Sequence, residues 1–290
     1  MSENLEVKLE VKELVKVFGS QPGKAIAMLE QGVSQERILG ATGQTVAVND
    51  VSFSVRNGEI FVLMGLSGSG KSTILRCINR LIEPTSGRIV VDGKDITFLP
   101  RRELRSVRQK QLGMVFQQFA LLPQRTVLQN TVYGLEVRGV GKDDREKKAR
   151  KTLNLVGLSG WENSYPDNLS GGMKQRVGLA RALTNDPAIL LMDEAFSALD
   201  PLIRQEMQDE LLALQRHLNK TIVFITHDLQ EALKLGDRIA FVREGTLVQV
   251  GTPREVIENP ADDYVKRFIH AIVGEKGGAT HVSLAVRPVG

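Results

Sequence analysis

Polar and apolar positions alternate near the start of the chain. Leu5, Val7, Leu9 and Val11 fall against Glu6, Lys8, Glu10 and Lys12. A period of two over residues 5–18 predicts a half-buried, antiparallel strand. The period breaks over residues 20–44. There Ala25, Ile26, Met28 and Leu29 have helical spacing, and Ser34 before Gln35-Glu36 has the form of a second helix start. Strand pattern returns over 46–55, Asn57-Gly58 marks a turn, and the wholly apolar residues 60–64 read as a short buried strand. A helix is expected over 72–81, stopped by Pro84 and Gly87, followed by a strand over 87–91 that turns at Asp92-Gly93.

Further along, Arg101, Arg102, Arg105, Arg108 and Lys110 read as the solvated face of a helix, with a functional basic patch as the alternative. Residues 113–116 read as a strand and 126–185 as mostly helical. In that stretch Asp143 with Lys147, and Glu146 with Arg150, are spaced to pair on an exposed helix. Apolar strands at 188–192, 221–225 and 238–242 alternate with helical segments, among them an amphipathic helix at 201–217. That alternation predicts an α/β fold around a parallel sheet. Gly274, Gly277 and Gly278 mark the tail from about residue 275 as flexible.

Composition changes this picture little. The 290 residues are 42% hydrophobic and 25% charged, enough for one large domain or two small ones. A net charge of +4 is too mild to argue for nucleic acid, and none is expected as a partner. The four His are scattered and form no zinc pattern. The single Cys77 excludes an internal disulfide and reads as buried helix packing in a reducing compartment. No run approaches the roughly 18 apolar residues of a membrane span. The acidic, polar start of the chain is unlike a secretory leader, so a cytoplasmic chain is expected, one that serves a membrane only through a partner.

The chemistry is concentrated in Gly65-Leu66-Ser67-Gly68-Ser69-Gly70-Lys71-Ser72, which follows a buried strand and opens a helix. Glycines let the backbone wrap phosphate oxygens, and inward N–H groups with the helix N-terminus supply positive potential. Lys71 is expected to reach the β- and γ-phosphates of ATP, Ser72 to ligate Mg²⁺, and Thr73 to steady the loop. Asp193 and Glu194 end a second apolar strand, at the sheet edge where such folds bind ligands. Asp193 is expected to hold Mg²⁺ and Glu194 to polarise the attacking water, with an acidic helix cap as the plain alternative. Gln117 and His227 also follow strands. Gln117 is a candidate Mg²⁺ ligand and γ-phosphate sensor, and His227 a candidate γ-phosphate donor; the plain alternatives, which each residue taken alone favours, are an ordinary loop Gln and a structural His at a strand end. Phe18 is a candidate adenine platform, with core packing as the alternative.

The order of Gly65–Ser72, Gln117, Leu169-Ser170-Gly171-Gly172-Met173, residues 189–194, Ser197-Ala198-Leu199-Asp200 and His227 resembles the ATP-binding-cassette ATPases over roughly residues 5–255. A GTPase reading fails, because Asn219-Lys220-Thr221-Ile222 lacks the base-reading Asp. The resemblance implies a P-loop NTPase core with a mostly parallel sheet, an N-terminal antiparallel β subdomain and an inserted helical subdomain at about 118–185. One ATPase domain would then span 1–275, with an insert at about 20–44 and a flexible tail at 276–290. It also implies that Ser170, Gly171 and Gly172 face the nucleotide of a second copy, in a head-to-tail dimer closed over two ATP molecules, with Asp200 and Ser197 communicating across it. Met173 stands where the family usually has Gln, and activity is expected to survive because Ser-Gly-Gly remains.

Within the family, the runs 64–72, 169–183 and 192–204 are similar to the ATPases of glycine betaine/proline (quaternary amine) importers, in a short form without C-terminal cystathionine-β-synthase domains. That implies integral membrane permease subunits, an indirect binding-protein partner, and a peripheral place on the cytoplasmic face of the inner membrane. Residues 118–130, with Phe119, Leu121 and Leu122, would meet the permease. Choline or histidine uptake, a soluble cassette ATPase and a non-hydrolysing nucleotide-binding regulator are the alternatives.

Overall fold

The computed structural model describes residues 6–275. The chain divides into two compact units: Pro100–Ile225, and the two chain ends up to Leu99 and from Thr226 on. The expected flexible tail at 276–290 lies outside the described residues.

In the unit of the chain ends, β1 (Val7–Phe18) meets α1 (Pro22–Glu30) and α2 (Gln35–Thr42) before β2 (Thr45–Arg56) returns antiparallel to it. The alternation of β1 is not unbroken. Leu9 and Val11 are buried, then Leu14, then Val17, so the inward phase slips twice. Register shifts against β2 fall at those places, and Glu13 sits at φ 49° with its N–H held by Ser52 Oγ at 2.8 Å. A bulge of this kind moves the side-chain phase without ending the strand.

The break over 20–44 is a helix pair. Ser34 Oγ caps α2 by accepting from Arg37 N–H. Ala25 and Ile38 are fully buried and meet Val17 and Val46, a small core at the end of the β1–β2 pair.

The buried strand β3 (Ile60–Met64) leads into α3 (Lys71–Ile78). The helix stops at Ile78, short of the expected Leu81 and well before Pro84. Arg80 adopts the left-handed conformation at φ 53°, its N–H bonds Cys77 O, and Ile82 N–H reaches back to Arg76 O. This is a left-handed helix stop made by an arginine where glycine is usual. The Arg80 guanidinium holds it in place through Glu83 and the carbonyls of Ile96 and Leu99. Cys77 is buried as expected, and burial pushes its thiol up to about 12. Beyond α3, β4 (Ser86–Val91) turns at Asp92-Gly93 into β5 (Lys94–Asp95), giving an antiparallel sheet ordered β2-β1-β4-β5.

The unit Pro100–Ile225 opens with α4 (Arg101–Lys110). Leu104 and Val107 are buried, while Arg101, Arg102, Arg105 and Lys110 are exposed. The helical stretch resolves into α5 (Val127–Val137), α6 (Lys142–Leu155) and α7 (Gly171–Thr184). On α6 the Glu146–Arg150 pair closes to 3.9 Å. Strands β6 (Leu112–Val115), β7 (Ile189–Asp193) and β8 (Thr221–Thr226) run parallel, with α8 (Pro201–Leu218) between the last two.

Back in the first unit, α9 (Leu229–Leu235) leads to β9 (Arg238–Arg243), which pairs parallel with β3. β10 (Thr246–Gly251), α10 (Pro253–Glu258) and α11 (Asp263–Glu275) follow, three elements the sequence reading did not separate. The α/β class is as expected: beside the antiparallel sheet, β3–β9, β6–β7 and β7–β8 pair parallel, and β10 runs antiparallel to its partner β9.

The helix pair α1–α2 generates a test. Ile38→Ala removes the fully buried side chain at the centre of its small core and is expected to cost about 2–4 kcal/mol, read as a lower urea midpoint. A loss under about 1 kcal/mol would mean that this core does not hold the pair.

Candidate active site

The glycine loop leaves β3 at Gly65. Its φ is +155°, and a Cβ there would lie 2.2 Å from Val242 O, so only glycine lets β9 pass this close. Gly70, at φ +101°, meets Ala47 O in the same way at 2.4 Å and precedes α3 with no side-chain cap. A glycine at the cap position brings no side chain of its own over the first turn of α3, and a helix start of that kind suits an anion.

Lys71 is only 3% exposed. Its Nζ donates to Gly65 O at 2.9 Å, to Leu66 O at 2.7 Å and to Ser69 Oγ at 3.4 Å. The loop thus holds its own cation on backbone oxygens. Ser69 is buried, Ser67 and Gly68 are exposed at the crest, and Ser72 and Thr73 are half-buried in the first turn of α3. Phe18 ends β1 with 41% of its surface exposed, and Lys16 Nζ lies 4.9 Å from its ring centroid. Core packing, the alternative reading of Phe18, is therefore set aside. His227 is exposed just before α9, whose N-terminus Asp228 caps through Gln230 and Glu231 N–H.

In the other unit, Asp193 closes the wholly buried β7 and is 4% exposed. Glu194 leaves the strand in the left-handed region at φ 45°, a conformation that costs a non-glycine residue energy and is kept only where neighbours enforce it. Here Ser197 enforces it: its N–H and Oγ–H both reach Glu194 O, at 3.2 and 2.9 Å. Gln117 Nε2 donates to Glu194 Oε2 at 3.4 Å and to Ser197 Oγ at 3.3 Å. Gln117, Glu194 and Ser197 are brought together, through long contacts that a ligand can displace.

Phe119 and Ala120 are also left-handed, at φ 55° and 48°. Arg181, on α7, donates Nη2 to Phe119 O at 3.0 Å and Nη1 to Ala120 O at 2.5 Å. It ties the segment after Gln117 to the helix that begins at Ser170. No local pattern marks Arg181 for this part, because its partners are backbone atoms far away along the chain.

Ser170 and Asp200 are both helix caps. Ser170 Oγ accepts from Met173 N–H at 3.3 Å, and Asp200 Oδ1 from Ile203 N–H at 3.1 Å. Gly171 is exposed, whereas Gly172 is buried where a Cβ would come 2.6 Å from Ile203 Cγ2. The second glycine is therefore a packing requirement between α7 and α8, and the first stays open to a ligand.

Among the described residues no three His, Cys, Asp or Glu side chains gather to hold a metal. The donors that were expected to take Mg²⁺ are one buried carboxylate (Asp193), one hydroxyl (Ser72) and one amide (Gln117). Such a set fits Mg²⁺, which keeps waters and takes phosphate oxygens in place of a full protein cage.

The model of the family described as ABC transporter matches residues 48–197. The chain is 59% identical over 266 residues to the glycine betaine transport ATP-binding protein OpuAA of Bacillus subtilis (strain 168), covering 92% of this chain and 64% of that one. It is 57% identical over 268 residues to the glycine betaine/proline betaine transport system ATP-binding protein ProV of Escherichia coli (strain K12), covering 92% and 67%. It spans about two thirds of the length of these curated relatives. Among solved structures it is similar to the dimeric post-hydrolysis state of the ATP-binding cassette MJ0796 bound to ADP and Pi. That likeness has 32% identity and a TM-score of 0.71, and covers 85% of this chain and 99% of that one. With the family's matched region running through the glycine loop, Gln117, Asp193 and Glu194, the chain belongs to the ABC transporter family.

Proposed function

We propose that the chain is the ATP-hydrolysing subunit of an importer for glycine betaine, proline betaine or a related quaternary amine. The observation that carries this is the 57–59% identity to two glycine betaine transport ATP-binding proteins. The buried Lys71 in its glycine loop supports the ATP part of the reading. ATP lies with its β- and γ-phosphates against Lys71 and the N–H groups of residues 67–73. Lys71 exchanges its loop carbonyls for phosphate oxygens of like geometry. Phe18 offers its exposed ring to adenine.

Ser72, Asp193 and Gln117 would hold Mg²⁺, which when bound would supply neutralisation of phosphate charge. Glu194 takes a hydrogen bond from the attacking water and turns it onto the γ-phosphorus. Lys71 and His227 stabilise the charge that develops there. Gln117, which touches Glu194 and Ser197, changes partner when the γ-phosphate arrives and so reports its presence.

Two copies pair head to tail. Ser170, Gly171 and Gly172 of each face the other's nucleotide, and Asp200 and Ser197 sit at that junction. Closure on ATP and reopening after hydrolysis are passed to membrane permease subunits through residues 118–130, where Arg181 fixes the backbone. A separate binding protein delivers the substrate. The subunit works from the cytoplasmic face of the membrane; among the described residues no helix is long and apolar enough to cross one.

Glu194→Gln is expected to bind ATP·Mg²⁺ but lose turnover by about 10²-fold or more, and to elute as a dimer with ATP bound. Elution as a monomer would sink the sandwich. Lys71→Ala is expected to weaken ATP binding by about tenfold or more; an unchanged dissociation constant would remove its phosphate role. For the substrate, reconstitution with permease and binding protein is expected to give ATPase stimulation by glycine betaine ahead of choline and histidine. Stimulation by histidine alone would overturn the quaternary-amine assignment.

A further inference from the structure

The peptide joining Gly65 to Leu66 is the first of the glycine loop, and it is gripped at both ends. Its carbonyl accepts Lys71 Nζ at 2.9 Å. Its N–H points the other way and donates to the hydroxyl of Tyr264 at 3.2 Å. That hydroxyl in turn donates to Val242 O at 3.1 Å, the same oxygen that forbids a Cβ at Gly65. One phenol on α11 therefore ties the entry of the loop to the end of β9.

The ring is itself held. The Arg243 guanidinium lies 5.3 Å from its centroid and pairs with Asp262 at 2.9 Å, and Asp262 Oδ1 accepts from Val265 N–H in the first turn of α11. Phe268, one turn on, meets Tyr264 edge-on at 5.2 Å and the buried Phe241 of β9 at 5.6 Å. Burial pushes the phenol above its ordinary value, so it stays protonated and remains a donor to Val242 O.

We propose that Tyr264 is a positioning residue for ATP binding: its hydroxyl fixes the Gly65–Leu66 peptide, so that the grip on the triphosphate depends on the seating of α11. Glycine at 65 leaves that peptide free to rotate, and a rotated carbonyl would turn a repelling dipole toward an anion and take an oxygen from Lys71. The hydroxyl blocks the rotation. Because α11 carries the phenol, whatever shifts α11 also shifts nucleotide affinity. This rests on the reading of the loop as an ATP site.

The test compares wild type, Tyr264→Phe, Phe268→Leu and Lys71→Ala by ATP·Mg²⁺ titration, steady-state ATPase assay and thermal melting. Tyr264→Phe keeps every ring contact and removes both hydrogen bonds. ATP affinity is expected to fall about threefold to tenfold, with KM for ATP rising in parallel and kcat at saturating ATP within about twofold. Phe268→Leu loosens α11 while leaving the hydroxyl, and is expected to weaken ATP binding in the same direction. A lower melting temperature with unchanged ATP affinity in Tyr264→Phe would make the contact merely structural and overturn the proposal. If Lys71→Ala leaves ATP affinity unchanged as well, the ATP site itself is misplaced; if only Tyr264→Phe does so, the site stands and the positioning role falls.

Discussion

A buried ammonium must be surrounded by oxygen, and the arrangement of the glycine loop follows from that requirement. Desolvating an unpaired charge costs on the order of several kcal/mol. Lys71, almost wholly buried, meets that cost with two backbone carbonyls and a serine hydroxyl. The carbonyls converge only because the chain doubles back sharply after β3, which Gly65 permits and Val242 of β9 confines. A triphosphate offers the same ammonium oxygens of greater charge. On the function proposed above, binding would be an exchange between partners of one kind rather than the creation of a site, in a loop already organised around Lys71.

The second unit stores its readiness differently. Glu194, Phe119 and Ala120 all sit in the left-handed region that non-glycine residues avoid. Each is held by bonds to its own backbone carbonyl: Ser197 on Glu194, Arg181 on Phe119 and Ala120. Gln117 lies in the same neighbourhood, on contacts of 3.3–3.4 Å to Glu194 and Ser197. Bonds to carbonyls fix the backbone, and longer bonds of 3.3–3.4 Å join the side chains of Gln117, Glu194 and Ser197. That division is what a segment must have if it is both to place a water and to respond to what the water attacks.

How much of this could be read beforehand depended on how local each feature is. The glycine loop and the strand before it are contiguous runs with local physics, and they were legible; that Ser170 and Asp200 cap their helices was not read, although the residue types carry that signal. The phase slips of β1 near Glu13 were not, because a bulge leaves composition unchanged and alters only register. The end of α3 was misplaced because Arg80 adopts a glycine-like conformation that distant carbonyls, Ile96 and Leu99, stabilise. Thr252-Pro253-Arg254-Glu255 carried a readable capping box and a proline at the helix start, and α10 was passed over although its signal was present. Arg181 and Tyr264 gave no signal at all. Their partners are backbone atoms 61 and 198 residues away, and neither periodicity nor motif spacing encodes such a contact.

Those distant contacts change what the glycine motif means here. Its residues supply the donors, but its shape is borrowed. The turn between β9 and β10 brings Gly245 N–H to Ser69 O at 2.9 Å and passes Gly245 O to Asn49 N–H at 2.8 Å. The neighbouring Glu244 O accepts from Gln35 of α2 at 2.6 Å. The loop is thus braced by β2, by the β9–β10 turn and by α11, and the α1–α2 pair leans on the same turn. A substitution in any of these segments acts on the glycine loop through backbone positions, without touching a residue of the motif. The same eight residues on a less braced scaffold would retain every donor and lose the organisation that gathers oxygens around Lys71.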